Sequence, residues 1–224
     1  PPTRYPIGKV EVLQTAPANQ LADYYNRYYR PERAVLVVTG DFDLDSMEAK
    51  IKAKLSDWTP VGPAGAEPNL GAVQPRKTEA KLVIEPGAPL SMQFAWLRNP
   101  DTAPDTVAKR KKEMIEQLGF SVMNRRLQTL ARGGQPPFLG AGVFESNEYD
   151  AAEMTMLIVN AEPSRWREAL SSAEQEQRRA VQFGVRQDEL DREIAEYRAN
   201  LKASAAGAAT RTPAQLAGEI VSSL

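Results

Sequence analysis

The 224-residue chain contains no cysteine and no histidine. The absence of cysteine excludes disulfides, thiolate nucleophiles and cysteine-ligated zinc sites. The absence of histidine excludes Ser-His-Asp catalysis and most catalytic metal sites, because histidine is the usual general base near neutral pH and the commonest zinc ligand. Only chemistry that uses carboxylate, lysine, tyrosine, serine or threonine side chains remains open to this chain.

Long apolar runs and an excess of one charge are also lacking. No segment reaches the roughly eighteen uninterrupted apolar residues of a transmembrane helix, so we predict no membrane span. The chain has 28 Lys and Arg against 29 Asp and Glu. This balance predicts no nucleic-acid partner, since nucleic-acid binding needs a clear basic excess on one domain or face. The remaining composition, 42% hydrophobic and 25% charged, is that of a folded globular protein.

The first 59 residues have a helix–strand–helix pattern. Four apolar residues recur at helical spacing after Pro17, namely Leu21, Tyr24, Tyr25 and Tyr28. Residues 34–39 form a β-branched apolar run, which predicts a strand buried on both faces. Asp43 offers an N-cap for the helix that follows. Residues 60–75 are rich in Pro, Gly and Ala and are predicted to be a linker.

The rest of the chain alternates short strands with helices. Segments 81–85 and 91–97 are separated by a Pro-Gly turn and predict a hairpin-like pair of strands. A long helix is predicted over residues 105–130. Two antiparallel strands follow at 138–145 and 152–161, the second of which should be central because it is apolar on both faces.

Three more helices are predicted after the last strand. Their apolar stripes begin near Trp166, Leu190 and Leu216, and the last helix opens with a capping-box pattern at Thr212. Because that helix still runs at the end of the sequence, we expect the second domain to be truncated at its C-terminus. The whole pattern predicts an α+β fold in which an antiparallel β-sheet has helices packed on one face.

Two groups of carboxylates have the spacing of catalytic acids. Glu189 and Glu193 share a helix face, with Glu196 nearby, but the interleaved Arg192, Arg198 and Lys202 favour a solvated, ion-paired surface. Glu145, Glu148 and Asp150 cluster between two strands, where polar turn formers are expected on structural grounds. A hydrolase that uses these carboxylates is the remaining, less favoured alternative.

The first 43 residues carry a resemblance to a known family. The blocks that carry it are Arg4-Tyr5-Pro6-Ile7-Gly8, Leu21 to Tyr25, Tyr28-Tyr29-Arg30-Pro31-Glu32-Arg33 and the run from Val35 to Asp43. They resemble the second part of the first domain of insulinase/pitrilysin-type zinc peptidases. The stretches from Gly133 to Ala141 and from Gly184 to Leu190 are similar to that family's inactive domain, so the resemblance covers essentially the whole chain.

The resemblance implies a division of the chain and a non-catalytic role. It implies that residues 1–59 complete a preceding domain and that residues 76–224 are the inactive domain, with the repeated fold of insulinase-like metallopeptidases. The family's zinc motif, H-x-x-E-H with a further carboxylate ligand, lies upstream of these blocks. We therefore expect no catalytic residue, metal ligand or cofactor in this chain, and zinc in the missing upstream domain of the parent protein.

The implied function is that of a chamber wall that contacts unfolded peptide in a zinc metalloendopeptidase. The implied partners are the catalytic domain of the same or a partner chain and the peptide itself. Arg125 and Arg126, near the loop at Gly133 to Pro137, are the candidate peptide-facing residues. The alternative is a structural or assembly subunit that lost the zinc motif, and bacterial relatives suggest the periplasm or cell envelope.

Overall fold

The computed structural model describes residues 7–223, which form two compact units. One comprises residues 7–69 and 204–223, and the other is Leu70–Ala203. The helices are α1 (Val10–Thr15), α2 (Ala18–Tyr28), α3 (Leu44–Leu55), α4 (Val107–Ala131), α5 (Trp166–Phe183), α6 (Gln187–Ala206) and α7 (Pro213–Ser222), and the strands are β1 (Ser91–Arg98), β2 (Gly140–Asn147) and β3 (Glu153–Asn160). Short 3₁₀ turns lie at Pro31–Arg33, Pro163–Arg165 and Ala208–Thr210.

The unit Leu70–Ala203 contains a three-stranded antiparallel sheet in the order β1-β3-β2. Leu157 of β3 lies opposite Phe94 of β1 on one side and Val143 of β2 on the other. The predicted α+β class, the antiparallel sheet and the central position of the third strand are confirmed. β3 is central because it pairs with β1 along one edge and with β2 along the other, and Leu157 and Val159 on one of its faces are buried in the core.

The hydrophobic core lies between this sheet and helices α4 and α5. Leu127 from α4, Leu157 and Val159 from β3, and Ala169 and Ala173 from α5 are all 1% exposed or less. The two alanines let α5 approach the central strand closely, because they place no bulky side chain between helix and sheet. Thr106 caps α4 by accepting a hydrogen bond from the Lys109 backbone N–H.

The turn between β2 and β3 accounts for the acidic cluster at 145–150. Tyr149 and Asp150 both have φ of 55°, a left-handed conformation that is uncommon outside turns. The Asp150 backbone N–H donates to Asn147 Oδ1 at 2.7 Å, and Asn147 Nδ2 donates to Asp150 Oδ1 at 2.9 Å. The structural prediction for this segment is therefore confirmed.

The unit of residues 7–69 and 204–223 consists of helices joined by extended segments. Asp43 caps α3 as predicted, accepting from the Ser46 backbone N–H. Arg30 is 6% exposed, and its Nη1 donates to the carbonyls of Asn26, Val61 and Gly62. This arginine ties the end of α2 to the loop after α3. The predicted capping box at Thr212 is present at the start of α7.

Two predicted strands are wrong within residues 7–223. Residues 34–39 and 81–85 have no regular secondary structure and belong to no sheet. Their side chains are not buried either, since Val35 is 69% exposed and Val83 82%. A strand needs a partner for its backbone N–H and C=O groups, and neither segment lies beside one in the described part of the chain.

Arg4-Tyr5-Pro6, part of the family block, lies outside the described residues. The division into 1–59, 60–75 and 76–224 stays a prediction. Of residues 7–223, no helix combines the length and apolar character needed to cross a membrane.

Candidate functional site: an arginine- and glutamate-lined pocket

A pocket of about 660 Å³ lies among α4, α5 and α6, within the unit Leu70–Ala203. Its lining carries five arginines, Arg125, Arg126, Arg179, Arg186 and Arg192, against three glutamates, Glu176, Glu189 and Glu193. The apolar part of its wall includes Val122, Leu130 and Phe183. The pocket lining therefore combines an excess of positive charge with apolar side chains.

Arg125 links α4 to two turns of α6. Its Nε donates to Glu193 Oε1, and its Nη2 donates to Glu196 Oε2 at 2.6 Å. Glu193 is only 6% exposed, and a buried carboxylate is stable only when it is paired. The hydrogen bond from Arg125 to Glu193 raises the pKa of Arg125, which favours the charged guanidinium.

Arg126 makes a bidentate ion pair with Glu189 at the first turn of α6. Its Nε donates to Glu189 Oε1 at 2.8 Å, and its Nη2 donates to Oε2 at 2.6 Å. The Arg186 backbone N–H also donates to Glu189 Oε2, at 2.9 Å. The bonds from Arg126, and then that from Arg186, lower the pKa of Glu189 to about 2. Side chains of Arg126 and Glu189 are 13% and 16% exposed, so solvent screens the pair little.

Two polar atoms of the pocket are buried without a hydrogen-bond partner. They are Arg126 Nη1, on the arm of the guanidinium that Glu189 does not use, and Glu176 Oε2. Glu176 is 8% exposed, and its other oxygen accepts from Arg179 Nη1 at 3.1 Å. A buried donor and a buried acceptor are thus left free in one cavity, which costs stability unless something occupies the space between them.

The sequence predictions for these residues have mixed outcomes. Glu189 and Glu193 are ion-paired as expected, but the expected solvated face and the expected partners on the same helix are wrong. Glu189 pairs with Arg126, 63 residues away along the chain, and Glu193 pairs with Arg125, 68 residues away. No local sequence signal marks such a pairing, because it depends on how α4 and α6 pack. The prediction that Arg125 and Arg126 face a peptide stays a prediction.

The second carboxylate group has structural partners. Glu145 of β2 and Glu153 of β3 both pair with Arg98 of β1, the latter at 2.6 Å. Glu148 accepts from Ser146 Oγ at 2.8 Å. These bonds hold the strand ends together. Glu145 and Glu153 line a cleft, but both are paired with Arg98 and neither is free.

Zinc does not fit the donors of this chain. There is no histidine or cysteine in the sequence, and within residues 7–223 no group of acidic side chains is placed to hold a metal ion. The pocket carboxylates Glu189 and Glu193 are held by arginines, whose positive charge opposes a cation. No step of zinc chemistry is therefore assigned to these residues.

Comparison with known proteins identifies what this fold is similar to. The sequence profile of the family described as "Peptidase M16 inactive domain" matches residues 15–197. The probable zinc protease PqqL of Haemophilus influenzae is 28% identical over 129 residues, which cover 56% of this chain and 14% of that protein. The chloroplastic stromal processing peptidase of Arabidopsis thaliana is 24% identical over 245 residues, covering 84% of this chain and 19% of that protein.

Solved structures share the fold over nearly the whole chain. The first half of the periplasmic protease PqqL from Escherichia coli superposes with a TM-score of 0.75 at 21% identity, covering 99% of this chain and 47% of that one. A peptidase M16 inactive domain from Pseudomonas fluorescens gives a TM-score of 0.64 at 19% identity, covering 95% and 48%. The chain thus spans less than a fifth of the curated relatives named above and about half of these solved chains.

Proposed function

The chain belongs to the peptidase M16 inactive-domain family, and on that premise we propose that it serves as the non-catalytic domain of an insulinase-like zinc metalloendopeptidase. It forms part of a chamber wall and contacts the unfolded peptide that the enzyme cuts. The observation that carries the proposal is the match of residues 15–197 to the inactive-domain profile in a chain without histidine or cysteine. The zinc belongs to the catalytic domain upstream.

Exposed apolar surface supports the catalytic domain as the partner. In residues 7–69 and 204–223 no apolar side chain is buried. Leu21, Tyr25 and Tyr29 of the α2 region are 54–62% exposed, and Leu36 is 58% exposed. Exposed apolar side chains in this number favour an interface. We infer that the catalytic domain of the same or a partner chain covers it.

A structural or assembly subunit is the second candidate, because the same apolar surface would also serve a purely assembling role. The two candidates differ in whether the longer protein contains H-x-x-E-H and hydrolyses peptides. Cleavage by the longer protein that a chelator stops would support the peptidase. A longer protein that lacks the motif and does not cleave peptides would support the assembly subunit. The periplasm is the proposed compartment, since the PqqL of Escherichia coli is described as periplasmic.

The peptide-contacting role can be tested by cysteine protection. Phe183 lines the pocket and is 80% exposed, whereas Val181 on the same helix is 75% exposed and outside the lining. Because this chain has no cysteine, Phe183→Cys and Val181→Cys each introduce a single thiol into it. Alkylation at each position is followed by mass spectrometry in the longer protein, with chelator present so that an added unfolded peptide is bound but not cut.

The proposal predicts that the peptide slows alkylation at position 183 and leaves position 181 unchanged. Equal rates at both positions, with and without peptide, would contradict a peptide-facing pocket. Similar slowing at both positions would indicate non-specific coating of the surface, and would also count against the proposal.

A further inference from the structure

The pocket among α4, α5 and α6 offers one strong donor that the protein itself does not use. Arg126 is fixed in orientation by its two hydrogen bonds to Glu189. Its remaining Nη1 is buried without a hydrogen-bond partner, and Arg126 is one of the residues that line the cavity. A guanidinium held in this way is already oriented for an incoming oxygen, so binding costs little side-chain entropy.

The charge of the lining favours an anion. Arginines exceed glutamates by five to three, and most are engaged with glutamates of the same pocket. Arg192 is different, because within residues 7–223 it has no ion pair or hydrogen bond and its side chain is exposed at the pocket. An oxygen that reaches Arg126 Nη1 therefore enters a cavity with a second, unengaged guanidinium in its lining.

The unpartnered Glu176 Oε2 narrows the class of ligand. This buried carboxylate oxygen needs a hydrogen-bond donor. The dianion of a phosphate monoester has only acceptor oxygens and therefore cannot provide one. An amino-acid residue with a carboxylate brings both groups, because its carboxylate accepts from arginine and its peptide N–H donates to Glu176. The exposed Phe183 at the rim offers apolar contact to a neighbouring side chain.

We propose that this pocket binds a carboxylate of an unfolded peptide, with Arg126 and Arg192 donating to the carboxylate and Glu176 accepting from a nearby amide N–H. The carboxylate comes from an aspartate or glutamate side chain or from the peptide's C-terminus. This inference deepens the proposed function by naming the chemistry that the peptide contact selects.

Binding is measured by fluorescence anisotropy with the 224-residue chain and labelled, unstructured peptides of one backbone sequence. One pair carries glutamate or glutamine at a central position with an amidated C-terminus. A second pair carries the central glutamine with a free or an amidated C-terminus. We expect the carboxylate member of at least one pair to bind about tenfold more tightly than its neutral counterpart, as a charge-assisted hydrogen bond provides. The pair that shows the difference identifies the source of the carboxylate.

Arg192→Gln and Arg198→Gln form a matched pair of variants. Both arginines lie on α6 and have no ion pair or hydrogen bond among the described residues, but only Arg192 lines the pocket. Arg192→Gln should weaken binding of the carboxylate peptide several-fold, and Arg198→Gln should leave it unchanged. In Arg126→Lys, which keeps the charge beside Glu189 but removes Nη1, the preference for carboxylate should be lost.

Equal binding of the charged and neutral peptides in both pairs would overturn the inference and would mean that only water bridges Arg126 and Glu176. Equal weakening by Arg192→Gln and Arg198→Gln would also overturn it, since net charge alone would then explain the binding. The comparison of Arg192→Gln with Arg198→Gln tests carboxylate binding even if Arg126→Lys fails to fold. Because the assay reads binding without cleavage, its failure is distinct from a failure of the proposed peptidase role.

Discussion

Replacing Glu189 with glutamine should remove a pH-dependent part of the stability of the unit Leu70–Ala203. The pKa of Glu189 falls from an ordinary 4.5 to about 2 through its bonds with Arg126 and Arg186. Because the folded-state pKa is the lower one, the stabilisation is fully present above the unfolded-state pKa and is lost as the pH falls towards 2. The difference between the two pKa values corresponds to about 3 kcal/mol of folding stability at pH 7. This is an upper value, because the slight exposure of the ion pair weakens it.

The assay is urea denaturation from pH 7 to pH 2 in a Trp58→Phe background, so that fluorescence comes from Trp96 and Trp166 in this unit. Glu189→Gln should lower the free energy of unfolding at pH 7, and the difference from wild type should shrink as the pH falls. Glu168→Gln is the control, since Glu168 pairs with Arg165 on the surface and is 53% exposed. A difference for Glu189→Gln that stays constant from pH 7 to pH 2 would show that the ion pair with Arg126 does not lower the pKa of Glu189.

Three further predictions concern packing, a turn and a cap. Leu157→Ala should lower the free energy of unfolding by about 2–5 kcal/mol because Leu157 is 1% exposed, whereas Leu139→Ala, at a 65% exposed position, should change it little; urea denaturation measures both. Tyr149→Gly should raise the free energy of unfolding by roughly 0.5–1 kcal/mol in the same assay. Tyr149 is exposed and has φ of 55°, a conformation that glycine adopts without the strain of a side chain. Thr212→Ala should destabilise the first turn of α7 by about 1 kcal/mol, which amide hydrogen exchange measures, with Ser223→Ala as control.

Features that depend on nearby residues could be predicted from the sequence. The long helix expected over 105–130 is α4, Val107–Ala131, and the cap at Thr212 is present. The central position of β3 could be predicted because its own residues are apolar on both faces. In each case the signal and its cause lie within one segment of chain.

Features that depend on distant partners were missed or predicted wrongly. Residues 34–39 and 81–85 have strand composition, but composition supplies no partner for their backbone groups, and none is present in residues 7–223. The ion pairs of Arg125 and Arg126 with α6 connect residues 63 to 71 positions apart. The glutamates were therefore expected to pair along their own helix, where the sequence shows arginine and lysine at suitable spacing.

The most direct test of the account compares peptide hydrolysis by the 224-residue chain with hydrolysis by the longer protein that includes the upstream domain. Both are incubated with zinc and an internally quenched, unfolded peptide, with and without chelator. We predict that only the longer protein cuts the peptide and that chelator stops the cleavage. Cleavage by the 224-residue chain alone, abolished by Glu145→Gln or Asp150→Asn, would contradict it.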